Sequence, residues 1–221
     1  MEVESKIWQN WIGRFPALAS SQDRVGQAFN LLCDTFSSGN RLYVCGNGGS
    51  AADSEHIAGD LVKAFLKPRP LRDFEVGRLR AQPETDLAEY LAKRLERGLP
   101  VYPLVSQTAL GTAIANDVAG DMVFAQQIWA YGRDGDLLWA VSTSGESRNV
   151  QLAATAAHAR GMKVLGMTGK TGGSLGALCD VLLTVPEQRV DYIQTLHVAV
   201  YHILCEAVED HFFAADAHRA R

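Results

Sequence analysis

His56 and Asp60 stand four residues apart in CGNGGSAADSEHIAGDLV, residues 45–62. On a helix that spacing puts both on one face, with Cβ atoms about 6 Å apart. An imidazole beside a carboxylate holds a metal ion or moves a proton. The same stretch opens with three glycines in four residues, Gly46, Gly48 and Gly49, and a glycine-rich turn lets a backbone close on a phosphate or a sugar. A second polar string is STSGESRN, residues 142–149. Its hydroxyls at Ser142, Thr143, Ser144 and Ser147, with the amides of a helix start, make an anion cup that needs no Lys or Arg. One Ser suffices to cap a helix; four hydroxyls in residues 142–147 exceed that need.

Two glycine-rich strings imitate nucleotide motifs. GNGGSA (46–51) fits G-x-G-x-x-A after a strand, but the dinucleotide fingerprint also wants an acid about 20 residues on, at the end of a second strand. KAFLKPRPLRD occupies that region, with prolines and no strand pattern. TGKTGG (168–173) contains Gly-Lys-Thr, yet a P-loop requires glycine where Val164 stands. No nucleotide cofactor is expected.

Elements must hold these strings in place. The 221 residues, 47% hydrophobic and 21% charged, suit one soluble α/β domain over 1–221 with a real core. A formal net charge of -4 disfavours nucleic acid as a partner. No apolar run is long enough to span a bilayer, the N-terminus lacks a signal-peptide pattern, and the four cysteines are scattered without a C-x-x-C pair. A cytoplasmic protein without a membrane partner is the expectation.

Helical spacing predicts two N-terminal helices within residues 1–38, over 7–15 and 22–36. Apolar runs predict strands at 41–45, 99–105, 136–142, 163–169 and 179–186, and helices are expected over 51–63, 122–131, 150–159 and 190–212. Alternating strands and helices imply a parallel sheet with helices on both faces, whose ligands bind past the carboxyl ends of the strands. Residues 67–98 break the rhythm with two close prolines, mixed charge and one helical half over 86–96. They read as a surface insertion of loop plus helix, since nothing in them has ligand spacing.

GNGGSA before a helix, STSGES after the third strand, and Gln194 with His202 on the last helix together resemble the sugar isomerase (SIS) domain family, and within it the phosphoheptose isomerases. The likeness spans the chain apart from 67–98. It implies a flavodoxin-like αβα sandwich with a five-stranded parallel sheet, N-terminal helices and a long C-terminal helix. It also implies a homotetramer with active sites at subunit interfaces, and aldose–ketose isomerisation of a sugar phosphate, sedoheptulose 7-phosphate. By position, Asn47, Gly48, Gly49, Asn116, Asp117 and Gln194 contact substrate, while Ser142, Thr143, Ser144 and Ser147 hold its phosphate. The resemblance further implies zinc at His56, Asp60, Gln194 and His202, with Asp60 and His202 moving protons.

The chemistry fits that implication. Isomerisation through an enediol needs a base for the carbon proton and an acid or metal for the oxygens. Gln194 and His202, eight residues apart, share one broad helical face, and such an N/O set suits zinc. Each residue alone has a plainer reading: His202 sits among Val198, Tyr201 and Leu204 as a core residue would, Asp60 passes for a solvated helix charge, and His197 is a nearby substitute. The family carries Glu at the position of Asp60, whose carboxylate is set back about 1.5 Å by the missing methylene. A non-catalytic relative that binds the replication initiator, or a sugar-phosphate sensor, is the competing reading. A binding module has no need of His202 or of an acid at position 60.

Overall fold

The computed structural model describes residues 2–217, with side chains over 6–214. Five short strands, β1 (Leu42–Cys45), β2 (Val101–Pro103), β3 (Leu137–Val141), β4 (Lys163–Thr168) and β5 (Val181–Thr184), pair in parallel in the order β2-β1-β3-β4-β5. Every residue of β1 and β3 is buried, as unbroken apolar runs covered on both faces must be. Side chains alternate across the sheet. Leu42, Val44, Trp139 and Leu165 pack with α1 (Glu2–Arg14), α2 (Gln22–Ser37), α3 (Gly49–Val62) and the long α9 (Val190–Ala217). Tyr43, Leu138, Ala140 and Val164 pack on the opposite face, against α7 (Ala125–Tyr131) and α8 (Arg148–Ala159).

The order 2-1-3-4-5 fixes where a ligand belongs. From β1 the chain crosses to one side, to β2, and from β3 it continues to the other. The carboxyl ends of β1 and β3 therefore flank a topological switch point, where the opening connections diverge and leave a crevice. Residues 46–49 follow β1 and residues 142–147 follow β3, so both polar strings converge on that crevice.

Four stretches differ from expectation. The helix after β1 begins at Gly49, two residues before the expected 51, because the glycine turn itself supplies the first helical residue. Residues 108–117, for which no element is expected, form α6 (Thr108–Asp117), of which only Ile114 is buried. Segment 67–98 carries two helices, α4 (Asp73–Arg80) and α5 (Thr85–Arg94), packed on each other. α4 buries no residue, which leaves periodicity nothing to detect. The segment's two ends are tied together by an isolated Pro70–Glu96 bridge. The expected helix over 122–131 is a 3₁₀ turn (Gly120–Met122) followed by α7. Among the described residues no helix is long and apolar enough to cross a membrane.

Candidate active site

The crevice is built from backbone. Gly48 caps α3 with φ +56° and ψ -119°, a conformation suited to glycine. At Gly49 a side chain would overlap the amide of Gln194, which α9 lays against the turn. Across the crevice, Asn47 and Asn149 exchange two amide hydrogen bonds of 2.8 and 2.9 Å, joining the glycine turn to the first turn of α8. The Ser/Thr loop folds on itself: Gly145 N–H donates to the Ser142 carbonyl and hydroxyl, Glu146 N–H donates to Ser144 Oγ, and the Ser142 and Ser147 hydroxyls lie 3.1 Å apart. Glu146 accepts from Ser174 N–H and Oγ, pinning the loop to residues 172–174. Val150 and Gln151 N–H both reach the Ser147 carbonyl, while the earlier first-turn amides have no carbonyl inside the helix to bond. Free amides and hydroxyls gathered at a helix start are the donors that anion binding uses.

The second centre lies farther along α3. His56 and Asp60 meet His202 of α9, and the three ligating atoms lie within 4.8 Å of one another. His202 Nε2 is 3.3 Å from His56 Nε2, and Asp60 Oδ2 is 3.8 Å from each of those nitrogens. The three residues differ in exposure: the Asp60 side chain is 8% exposed, His56 48% and His202 36%. Asp60 Oδ2 is buried without a hydrogen-bond partner. An orphaned carboxylate oxygen costs desolvation energy unless something positive completes it.

Neighbours orient the imidazoles. The Tyr201 hydroxyl is 2.9 Å from His56 Nδ1; if it accepts there, the His56 Nε2 lone pair turns toward the cluster. Phe65 stacks at a tilt on His202, ring centres 5.5 Å apart. A cavity of about 590 Å³ opens beside His202, lined by Trp11, Phe15, Phe65 and Val198 among others. Burial raises the Asp60 carboxyl above the usual range, partly opposed by His56 and His202. Burial also lowers His202, against the pull of Asp60. Asp53, one turn before His56, is pushed up by burial to about 6, with the Tyr201 hydroxyl opposing the rise.

The resemblance implies zinc, and the donor set has the chemistry and close to the spacing that zinc requires. Zinc bonds of about 2.0–2.1 Å in tetrahedral array space the ligand atoms about 3.3–3.4 Å apart. The observed separations of 3.3, 3.8 and 3.8 Å come close to that spacing. Two imidazoles and one carboxylate with one position left over are a catalytic zinc set. The residues fit the ion.

Gln194 stands apart from this trio. It lies against Gly49, while His202 is eight residues farther along the same helix, about 12 Å of axial rise. Asn116 and Asp117 end α6, exposed and hydrogen-bonded to each other at 2.8 Å. Their segment approaches the Ser/Thr loop through a 2.7 Å bond from Arg148 to Asp121. His197 is fully buried within α9. Sequence reasoning missed Asn149, Tyr201 and Phe65. Asn149 alone carried a signal, as a polar residue at the start of the helix behind the hydroxyl string. Tyr201 and Phe65 read as ordinary core aromatics.

Known proteins resemble this chain in both sequence and fold. The SIS domain profile matches residues 16–98 and 85–169. The chain is 37% identical over 190 residues to the phosphoheptose isomerase of Nitratidesulfovibrio vulgaris (strain Miyazaki F), covering 86% of this chain and 78% of that protein. It is also 37% identical over 209 residues to the phosphoheptose isomerase of Thiobacillus denitrificans, covering 90% and 92%. Among solved structures, phosphoheptose isomerase GmhA from Neisseria gonorrhoeae superimposes with a TM-score of 0.70 at 30% identity, covering 94% of this chain and 99% of that one. The Francisella tularensis phosphoheptose isomerase gives 0.69 at 25% identity, covering 93% and 97%.

Proposed function

Because the chain belongs to the phosphoheptose isomerase family of SIS-domain proteins, we propose that it interconverts sedoheptulose 7-phosphate and the aldose D-glycero-D-manno-heptose 7-phosphate. The observation that carries the reading is the convergence of His56, Asp60 and His202 around a buried carboxylate oxygen that has no hydrogen-bond partner. A module that only binds a protein has no use for that arrangement.

The reaction moves a proton between C1 and C2 through an enediol. Ser142, Thr143, Ser144, Ser147 and the first-turn amides of α8 hold the phosphate. Asn47, Gly48, Gly49 and Gln194 line the sugar chain, and Asn116 and Asp117 complete its rim. Asp60 takes the proton from one carbon and returns it to the other; burial strengthens it as a base. His202, kept neutral by the same burial, takes the proton of one hydroxyl at an imidazole nitrogen and delivers it to the neighbouring carbonyl oxygen, so that the two oxygens exchange roles and the imidazole ends neutral. His56, Asp60 and His202 would hold zinc, which when bound polarises the substrate oxygens.

A homotetramer with active sites at subunit interfaces belongs to the same proposal. Asp60 lies eleven residues beyond Gly49, about 16 Å along α3, so the glycine turn beside the anion cup and the cluster stand toward opposite ends of one helix. A neighbouring subunit would bring a cup toward a cluster. The free thiols Cys45, Cys179 and Cys205 support a reducing, cytoplasmic setting.

The test is direct. Purified protein, with and without added zinc, is incubated with sedoheptulose 7-phosphate and the sugar phosphates are separated. Appearance of the aldose is expected. Its absence under both conditions would end the isomerase reading.

A further inference from the structure

Beneath the cluster lies a fully buried ion pair that the proposed chemistry does not use. Arg69, from the segment that interrupts the sheet rhythm, and Glu209, near the end of α9, both have side chains with no exposure. Arg69 Nε donates to Glu209 Oε1 at 2.8 Å. Its two remaining arms reach backbone: Nη1 donates to the Leu61 carbonyl at 2.7 Å and Nη2 to the Asp60 carbonyl at 2.9 Å. These carbonyls belong to the last turn of α3, where helix geometry leaves acceptors unpaired and the dipole favours a cation. The guanidinium also lies over the Phe213 ring, 4.5 Å from its centre.

Glu209 performs the complementary task. It accepts the N–H groups of Phe65 at 2.8 Å, Leu66 at 2.8 Å and Lys67 at 3.0 Å. Those amides fix the strap that carries Phe65 onto the His202 ring. One ion pair thus anchors both sides of the cluster, the turn that bears Asp60 and the strap that bears the wall of His202. A guanidinium fork is suited to this, because its donors are coplanar and rigidly spaced.

We infer that Arg69 is a positioning residue for Asp60, and that the Arg69–Glu209 pair sets the distance between the Asp60 carboxylate and the two imidazoles. The root of the segment at 67–98 is therefore part of the active-site support. This inference rests on the isomerase reading only for its kinetic readout; its metal-binding readout stands apart.

The experiment compares the wild type with Arg69→Lys, which keeps the charge and loses the fork. Glu89→Gln serves as control, breaking the exposed Arg80–Glu89 pair of the same segment. Zinc affinity is measured on the metal-stripped folded protein by competition with a chromophoric chelator, and kcat and KM with sedoheptulose 7-phosphate. Arg69→Lys is expected to keep its circular dichroism spectrum. It should bind zinc about tenfold more weakly and lose kcat by on the order of 10- to 100-fold, the scale of a sub-ångström to 1 Å misplacement, with KM changed far less. Glu89→Gln should match wild type in every readout. A folded Arg69→Lys with wild-type zinc affinity and kcat overturns the inference. Should Arg69→Lys not fold, Arg69→Met combined with Glu209→Gln removes both charges and leaves no unpaired ion, and the same two outcomes decide. An inactive wild type with zinc affinity still weakened by Arg69→Lys would sink the isomerase reading and leave the positioning role standing.

Discussion

Replacing Asp60 with glutamate asks whether the shorter carboxylate is a handicap or a fitted part. Asp60 Oδ2 lies 3.8 Å from each imidazole Nε2, and those nitrogens are 3.3 Å apart. A tetrahedral zinc needs edges of about 3.3–3.4 Å, so the carboxylate has to advance by only about 0.5 Å. Glutamate would push it forward by about 1.5 Å, overshooting by about 1 Å. The side chain is 8% exposed and cannot swing into solvent without giving up the site. A misplacement of that size costs on the order of 100-fold in rate, or about 2.7 kcal/mol of barrier. Asp60→Glu is therefore expected to lower kcat by 10- to 100-fold and to weaken zinc binding. The assay is initial-rate aldose formation over a range of sedoheptulose 7-phosphate concentrations, with zinc affinity measured in parallel. If Asp60→Glu equals or outpaces the wild type, the cluster is not fitted to aspartate and the distance argument is wrong.

Other outcomes follow from the same geometry. Asp60→Asn and His202→Gln should each lose bound zinc on metal analysis after dialysis; retention in both would dissolve the cluster as a metal centre. Ser144→Ala removes one hydroxyl from the anion cup, and a hydrogen bond to a charged group contributes about 1.5–3 kcal/mol. KM for the phosphorylated substrate should rise roughly 10- to 100-fold with kcat much less affected, and an unchanged KM would count against the cup. His197 is fully buried and burial pulls it down to about 4, below its ordinary 6.5. Its contribution to stability is present above pH 6.5 and is lost as pH falls toward 4, by about 3 kcal/mol. Urea midpoints measured from pH 7 to 4 should fall less steeply in His197→Leu than in the wild type, and parallel slopes would refute this.

Local patterns made much of the molecule legible. The strands at 42–45 and 137–141 stand out because continuous apolar runs announce burial on both faces. Two short helices were not legible: α4 and α6 run for only 8 and 10 residues and bury between them only Ile114, too little for a period to stand out. The contribution of residues 67–98 was likewise hidden. Arg69 in a proline-rich charged stretch reads as a surface residue, and only a partner 140 positions away makes it a buried one.

By itself the sequence determined the short-range parts of the site. It put His56 and Asp60 on one helical face, and it set a hydroxyl string at a helix start behind β3, because helix period and capping act within a few residues. Tertiary structure alone decided that His202 comes within 3.3 Å of His56 across 146 positions, that Gln194 turns to Gly49, and that Arg69 braces the turn carrying Asp60. Those meetings depend on how α3, α9 and the strap pack against one sheet face. No periodicity within any one of them encodes that packing.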